Sequence, residues 1–413
     1  MSGRTTDVAA YTRAVPMPPV TRDLSRRAAI VGVGQSDFHA DYMAERAREP
    51  GYSPPLLEDL LERAFERALA DSGLPRDRID GLALSCTYGG PAPEAMARRL
   101  GLRARYLSAN GNIMAGPLPR VCADIAAGEA DHVAMIFGVA PRSGGRQYGG
   151  ATFSAGVGPL SYYYYHPWGW SSQAAHWAMM FSRYQAEYGA REEDLGAVAV
   201  QVRQHACGDP DAIMQTPLTI DGYMASRYVV RPLHLLDICL VNDGAVCLIA
   251  SKAELAGEAA KPPVLVAGWG EAKVKSGKME ALVRDRLRTI MQEAGRQALD
   301  MAGVELADIG HFEGYDPATI HLVNQIEGFG FVAPGEGIEF CKAGGMGLGG
   351  RLPSNTAGGN LSGSYMQGWS QIVEVVRQLR GEAGKRQVAG LNASMSSLAQ
   401  TSQVNPLVFV KGE

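Results

Sequence analysis

Leu348-Gly349-Gly350-Arg351-Leu352-Pro353-Ser354-Asn355-Thr356-Ala357-Gly358-Gly359-Asn360-Leu361-Ser362-Gly363-Ser364-Tyr365-Met366-Gln367-Gly368 is the stretch on which the reading of this chain turns. Glycines at Gly358 and Gly359 let the backbone come close to a bound group, and their N–H groups can face an oxyanion. The same pattern, with Asn355 ahead of the glycines, would equally serve a tight turn entering a helix. Tyr365 can move a proton.

Outward from this stretch the chain repeats itself. Ala28-Ala-Ile-Val-Gly-Val-Gly34 and Pro263-Val-Leu-Val-Ala-Gly-Trp-Gly270 both read as buried strands. Leu56–Ser72 and Leu282–Ala302 follow them with apolar residues at helical spacing. Ala68-Leu-Ala-Asp-Ser-Gly73 aligns with Ala298-Leu-Asp-Met-Ala-Gly303 at an offset of 230, so Gly73 and Gly303 are expected helix C-caps. Two short strands come next, Gly81–Cys86 and Gly310–Asp316. In the second halves Ala127-Gly-Glu-Ala matches Arg380-Gly-Glu-Ala at an offset of 253. Tyr365 and Asn112 lie 16 residues before the respective glycines, each at an expected helix N-terminus. Strands alternating with helices predict right-handed crossovers and sheets with helices on their faces. The expected division is an arm over 1–26, an N-terminal half over 27–258 and a C-terminal half over 259–413. A helical lobe over about 141–230 is inserted in the first half.

The quoted stretch resembles the C-terminal active-site loop of the thiolase superfamily, in which Asn-x-x-Gly-Gly is followed by Gly-His-Pro. Here Ser364-Tyr365-Met366 stands in place of Gly-His-Pro, and Asn110-Gly-Asn-Ile-Met-Ala-Gly116 has no cysteine where the thiolase nucleophile belongs. Pro167-Trp-Gly, Arg183-Tyr-x-x-Glu-Tyr-Gly189 and Ser226-Arg-Tyr-Val-Val-Arg-Pro-Leu-His-Leu-Leu-Asp-Ile-Cys-Leu-Val-Asn-Asp-Gly-Ala245 are similar to the branch of sterol-carrier-protein thiolases and lipid-transfer-protein aldolases. The resemblance runs from about Ala28 to Leu407. It implies an α/β thiolase fold, two pseudo-symmetric halves in five layers, αβαβα. Tyr315-Asp316 occupies the place of that branch's His-Asp pair, and the steroid side-chain aldolases of the branch are implied to use a tyrosine in each of the two loops. Tyr315 and Tyr365 are thus the expected catalytic pair, and Asn355, Gly358 and Gly359 of the Asn-x-x-Gly-Gly motif, together with Ser364, Asp316 and Asn112, are the implied substrate-binding residues.

Tyrosines suit a retro-aldol reaction. Cleaving a β-hydroxyacyl-CoA needs a base for the hydroxyl, a hole for the thioester enolate and an acid for Cα, but no covalent nucleophile. The implied activity is an acyl-CoA aldolase acting on steroid or bile-acid side chains, without a cofactor beyond the coenzyme A of its substrate. Two rivals stay open: a non-catalytic scaffold for a partner, and an acyltransferase using a displaced cysteine such as Cys86. The implied partners are a second copy of the chain and a zinc-ribbon/OB-fold protein or hydratase subunit.

Composition narrows the field. With 39 basic and 43 acidic residues and a net charge of −4, the chain has no global field for nucleic acid. No apolar run approaches the ~18 residues of a membrane span. Six scattered cysteines without C-x-x-C argue against zinc and disulfides and fit a reducing bacterial cytoplasm. His166, His176 and His321 lack metal-ligand spacing. Gly344–Gly350 reads as a flexible channel wall, and Tyr162–Trp170 as an aromatic patch or pocket lining.

Overall fold

The computed structural model describes residues 17–48, 50–87, 89–109, 117–145, 166–170, 172–274, 284–399 and 403–412. Asn112 with its segment 110–116, Tyr162–Tyr165 and the first 16 residues of the arm lie outside them.

The first half contains β1 (Ala28–Gln35), α1 (Phe38–Ala47), α2 (Leu57–Ser72), β2 (Gly81–Cys86), α3 (Pro93–Arg99), β3 (Tyr106–Ala109), α4 (Pro117–Ala126) and β4 (His132–Val139). The lobe follows with α5 (Gln173–Tyr188), α6 (Glu192–Ala206), α7 (Ile220–Met224), β5 (Tyr228–Val230) and β6 (Leu233–His234). β7 (Gly244–Lys252) completes that half. The second half holds β8 (Val264–Trp269), β9 (Ala272–Lys273), α8 (Arg284–Ala302), β10 (His311–Gly314), α9 (Thr319–Gly328), α10 (Gly337–Lys342), α11 (Trp369–Arg380), β11 (Ala393–Ala399) and β12 (Gln403–Lys411).

The strand order is β10-β11-β12-β8-β1-β7-β4-β2-β3. β2 runs parallel to β3 and β4, and β10 parallel to β11. The half-sheets meet antiparallel where Ala29 pairs with Leu265 and Ile30 with Val264. Successive residues of a strand face opposite sides, and β1 shows the result: Ala29 and Val31 pack with α2, while Ile30 packs with α4 and α11. Both faces of each half-sheet are covered, which is why the strands read as unbroken apolar runs. A second outer layer joins α8 and α9 to the lobe through Ala294, Ile320, Phe181 and Leu195. The layers run helix, sheet, helix, sheet, helix.

The repeat has a packing cause. A Cβ on Gly34 would lie 2.2 Å from the Ala64 carbonyl oxygen, and one on Gly270 would lie 2.0 Å from that of Ala294. Bare backbone lets each outer helix sit directly on its strand. Leu60, Leu61 and Phe65 of α2 are then fully buried, each contributing roughly 1.5–3 kcal/mol. Both outer helices end on a left-handed glycine, Gly73 (φ 68°) and Gly303 (φ 66°).

A partly buried ion cluster fastens the halves together. Asp71 at the end of α2 accepts from Lys261 Nζ at 2.5 Å, from the Val33 N–H at 2.9 Å and from Arg380 Nη1 at 2.8 Å. Burial pushes the Asp71 carboxyl up, but these bonds outweigh it and hold the group below its ordinary value.

Candidate active site

β10 delivers Tyr315 to the central layer. Its N–H donates to the Ser397 carbonyl on β11 at 2.8 Å, and its own carbonyl accepts from Gln325 Nε2 of α9 at 2.7 Å. Tyr365 is held from the other side, its N–H donating to Asn242 Oδ1 at 2.8 Å just ahead of β7. Both rings pack into the central core, which also contains Met366 and Trp369. The two hydroxyls stand 3.1 Å apart, with Tyr315 only 8% exposed. Two phenols at hydrogen-bond distance can pass a proton between them: removing one proton leaves a phenolate beside a phenol, a base next to an acid.

The expectation that Tyr365 opens a helix needs correcting. α11 starts at Trp369, capped by Gly368 at φ 95°, so Tyr365 stands in the preceding turn. The helix dipole acts mainly within the first helical turn, so it contributes less at Tyr365 than the sequence suggested.

The loop residues expected to bind substrate are largely braces. Asn355, fully buried at φ 50°, clamps Gly314, its Oδ1 accepting from the Gly314 N–H at 2.8 Å and its Nδ2 donating to the Gly314 carbonyl at 2.9 Å, and its side chain also bonds the Asp316 carboxylate. Asp316 is also fully buried. Its Oδ1 accepts from the Asn360 N–H at 2.8 Å, Asn360 Nδ2 at 2.9 Å and Gln371 Nε2 at 3.2 Å. Burial pushes its pKa up to about 7, against those bonds. Asp316 thereby pins the single π-turn Gly359–Gly363 to β10. Both glycines are required by space: a Cβ on Gly358 (φ 87°) would lie 2.5 Å from the Ala206 Cβ, and one on Gly359 2.2 Å from Asp316 Oδ2. Ser364 is 3% exposed, and its N–H donates to the Gly359 carbonyl at 3.0 Å.

Helix α6 supports this loop from the lobe. Arg203 Nε donates to Ser362 Oγ at 2.9 Å. Gln201 Nε2 donates to His205 Nε2 at 3.0 Å, leaving Nδ1–H to donate to the Asn355 carbonyl at 3.3 Å. Burial lowers the His205 pKa to about 4, so the ring is neutral at pH 7.

Cys86, the displaced-nucleophile candidate, is 1% exposed, and burial pushes its thiol far above the ordinary value. It makes a poor nucleophile. Asp243 secures a turn, accepting from the N–H groups of Arg142 at 2.7 Å and Ser143 at 2.9 Å. Gly344–Gly350 forms successive tight turns around the buried Met346 rather than a loose wall. His321 is buried against Trp177, and Trp170 Nε1 donates to His176 Nδ1 at 2.8 Å. Among the described residues no group of three His, Cys, Asp or Glu side chains is placed to hold a metal, and no helix is long and apolar enough to cross a membrane. Asn242, Gln325, Asn360 and Gln371 were not singled out from the sequence. Asn242, adjoining Asp243-Gly-Ala, and Asn360, within the opening loop, stood in stretches already noted, whereas Gln325 and Gln371 did not.

A family model described as "Thiolase C-terminal domain-like" matches residues 272–404. A steroid side-chain-cleaving aldolase of Thermomonospora curvata is 34% identical over 86% of this chain and 90% of its own. The chain belongs to the thiolase-fold aldolases. It is therefore a carbon–carbon lyase. The 17-hydroxy-3-oxo-4-pregnene-20-carboxyl-CoA lyase of Mycobacterium tuberculosis is 33% identical, covering 87% of this aldolase and 92% of its own length. The solved Ltp2-ChsH2(DUF35) aldolase superposes with a TM-score of 0.80 at 29% identity, covering 94% of this chain and 98% of that one.

Proposed function

We propose that this aldolase cleaves the Cα–Cβ bond of a β-hydroxyacyl-CoA carried on a steroid side chain, with Tyr315 and Tyr365 moving the protons. The observation that carries the reading is the 3.1 Å contact between the two hydroxyls. The phenolate of the pair takes the β-hydroxyl proton. The alkoxide electrons form the carbonyl of the departing ketone or aldehyde as Cα–Cβ breaks, and the electron pair passes into the thioester enolate. The neighbouring phenol then protonates Cα, and transfer across the 3.1 Å contact restores the starting state. The cycle is neutral in protons and requires no covalent enzyme intermediate.

Steroid substrates are supported by the names of the two relatives, and the coenzyme A ester by the lyase. A heteromeric assembly is proposed as well, with a zinc-ribbon/OB-fold protein or a hydratase subunit as partner. The two-protein title of the solved aldolase supports it. A homodimer through the edge strand β3 accompanies this reading, because β3 ends the sheet with Leu107 39% exposed.

The test is direct. The full chain, alone and with a zinc-ribbon/OB-fold protein of the proposed kind, is incubated with a steroid CoA ester bearing a side-chain β-hydroxyl, and products are followed by mass spectrometry. A shortened acyl-CoA and a steroid ketone or aldehyde in equal amounts are expected. Absence of both with the partner present would leave the scaffold reading standing.

A further inference from the structure

Between the β5–β6 hairpin and β7, the chain bonds first to the loop that follows Tyr315 and then to the loop that carries Tyr365. It leaves β6 through a single 3-10 turn, Leu235–Asp237, and continues extended, with Ile238 at φ −108° and ψ 139°. Thr319, the first residue of α9, donates from Oγ1 to Asp237 Oδ1 at 2.7 Å. Ile238 forms a β-bridge with Ala318, and the Cys239 N–H donates to the Pro317 carbonyl at 3.1 Å. Contacts with the other loop follow directly. The Leu240 N–H donates to the Asn360 carbonyl at 2.9 Å, and Asn242 Oδ1 accepts from the Tyr365 N–H at 2.8 Å.

Both ends of this stretch are sealed, Asp237 at 0% and Asn242 at 1% exposure. Taking a carboxylate out of water is costly. Three donors compensate for it at Asp237: Thr319 Oγ1 on Oδ1, and the Tyr223 hydroxyl and the His234 N–H on Oδ2, both at 2.7 Å. Burial pushes the carboxyl up, against those bonds. A carboxylate held by charge-assisted bonds from α7, β6 and α9 cannot shift without breaking one of them. Asp237 therefore fixes where the stretch begins relative to α9, which follows Tyr315 closely in sequence. Asn242 fixes where the stretch meets Tyr365.

We infer that residues 237–242 are a spacer that sets the separation of the Tyr315 and Tyr365 hydroxyls, with Asp237 as a positioning residue for the reaction. Proton transfer needs its two oxygens at hydrogen-bond distance, and the pair stands at 3.1 Å. A displacement of about 1 Å at such a site can lower a rate on the order of 10²-fold. Asp237 acts through the backbone it anchors rather than on the reacting atoms. The inference rests on the tyrosine-pair reading and adds what holds that pair at transfer distance.

Retro-aldol kcat and KM are measured with the same assembly and substrate as above. Asp237→Ala removes the acceptor of all three donors, and kcat should fall about 10–10²-fold while KM changes less than about threefold. Asp237→Asn can restore the spacing, its carbonyl oxygen accepting from the Tyr223 hydroxyl and the His234 N–H and its amide donating to Thr319 Oγ1. Its kcat should return to within about threefold of wild type. Thr319→Val breaks one bond at constant shape and should lower kcat with KM unchanged, which keeps the test available if Asp237→Ala misfolds. In a Tyr365→Phe background either variant should lower kcat less than about twofold further, because the spacing no longer matters once the pair is gone. Wild-type kcat in Asp237→Ala and Thr319→Val would overturn the spacer. So would a kcat for Asp237→Asn as low as for Asp237→Ala, or losses that multiply in the Tyr365→Phe background. If Tyr365→Phe itself retains turnover, the tyrosine pair is wrong; if it is slow while the Asp237 and Thr319 variants turn over normally, only the spacer is wrong.

Discussion

β2 and β10 are equivalent strands of the two halves, and the residues at their ends both reach the Ser364–Gly368 turn. After β2, Thr87 Oγ1 donates to Gln367 Oε1 at 2.8 Å. After β10, the Tyr315 hydroxyl meets that of Tyr365. Cys86, which closes β2, is sealed beneath Gly90, where an added Cβ would lie 2.5 Å from its sulfur. The same strand-and-helix unit has therefore been put to two uses. One half steadies the turn that carries Tyr365 and the other supplies Tyr315, the proposed partner of Tyr365 in proton transfer, so the two differ in what their strand ends expose rather than in how their cores pack.

The largest effect expected from that contrast is on the reacting side. Tyr315→Phe or Tyr365→Phe removes one hydroxyl and keeps the ring, so turnover should fall roughly 10²–10⁴-fold with acyl-CoA affinity little changed. The double variant should lose much less than the product of the single losses, because both groups act on one reaction. Single-turnover rates and calorimetric binding check this, and near-full activity in both single variants would dissolve the contrast. Next comes the loop that fixes the pair. Gly358→Ala forces a methyl onto Ala206 from a left-handed backbone, and displacing the turn by about 1 Å should cost on the order of 10²-fold in turnover. Retention of wild-type rates would show that the loop tolerates movement.

The tie between the halves should affect stability instead. Asp71→Asn leaves Arg380 only the more distant Glu382 carboxylate, 3.8 Å away, and should destabilise by roughly 3 kcal/mol at pH 7. The folded Asp71 pKa lies below its unfolded value of about 4. Its contribution is therefore present above pH 4 and lost as pH falls below it, so thermal midpoints of variant and wild type should converge on going from pH 5 to pH 3. A gap independent of pH would assign the effect to packing. The smallest change is expected at the supporting strand end. Cys86→Ala should keep turnover within about twofold, and iodoacetamide should leave the folded enzyme active, because a buried, protonated thiol is inert. Inactivation mapped to Cys86 would reverse the roles of the two strands.

Much of the fold was legible because it depends on local pattern. Apolar spacing located α2 and α8 to within a residue or two, and glycine after each marked its end. The tyrosines were legible because each stands in a short motif of known place. Their supports were not, since Asn242 reaches Tyr365 and Gln325 reaches the Tyr315 carbonyl only through tertiary contact. The start of α11 was misjudged because Gly368 at φ 95° delays the helix beyond the motif. Asn355 and Asp316 carried the right motif, but their side chains turn inward to backbone and amide partners, and no spacing reveals that direction.

The apposition of Gly358 and Ala206 bears on how such an enzyme diversifies. The inserted lobe touches the loop ahead of Tyr365 along a narrow line formed by Arg203, His205 and Ala206 of α6 and by Ile213 and Met214, whose N–H groups donate to the Gly363 carbonyl at 2.8 Å and the Ser362 carbonyl at 3.0 Å. Away from that line, substitutions in α5 or on the outer face of α6 do not press on the turn that carries Tyr365. Natural variation or directed evolution can therefore rebuild the lobe for a different acyl group while the chemistry stays in register, provided that one small side chain on α6 remains small.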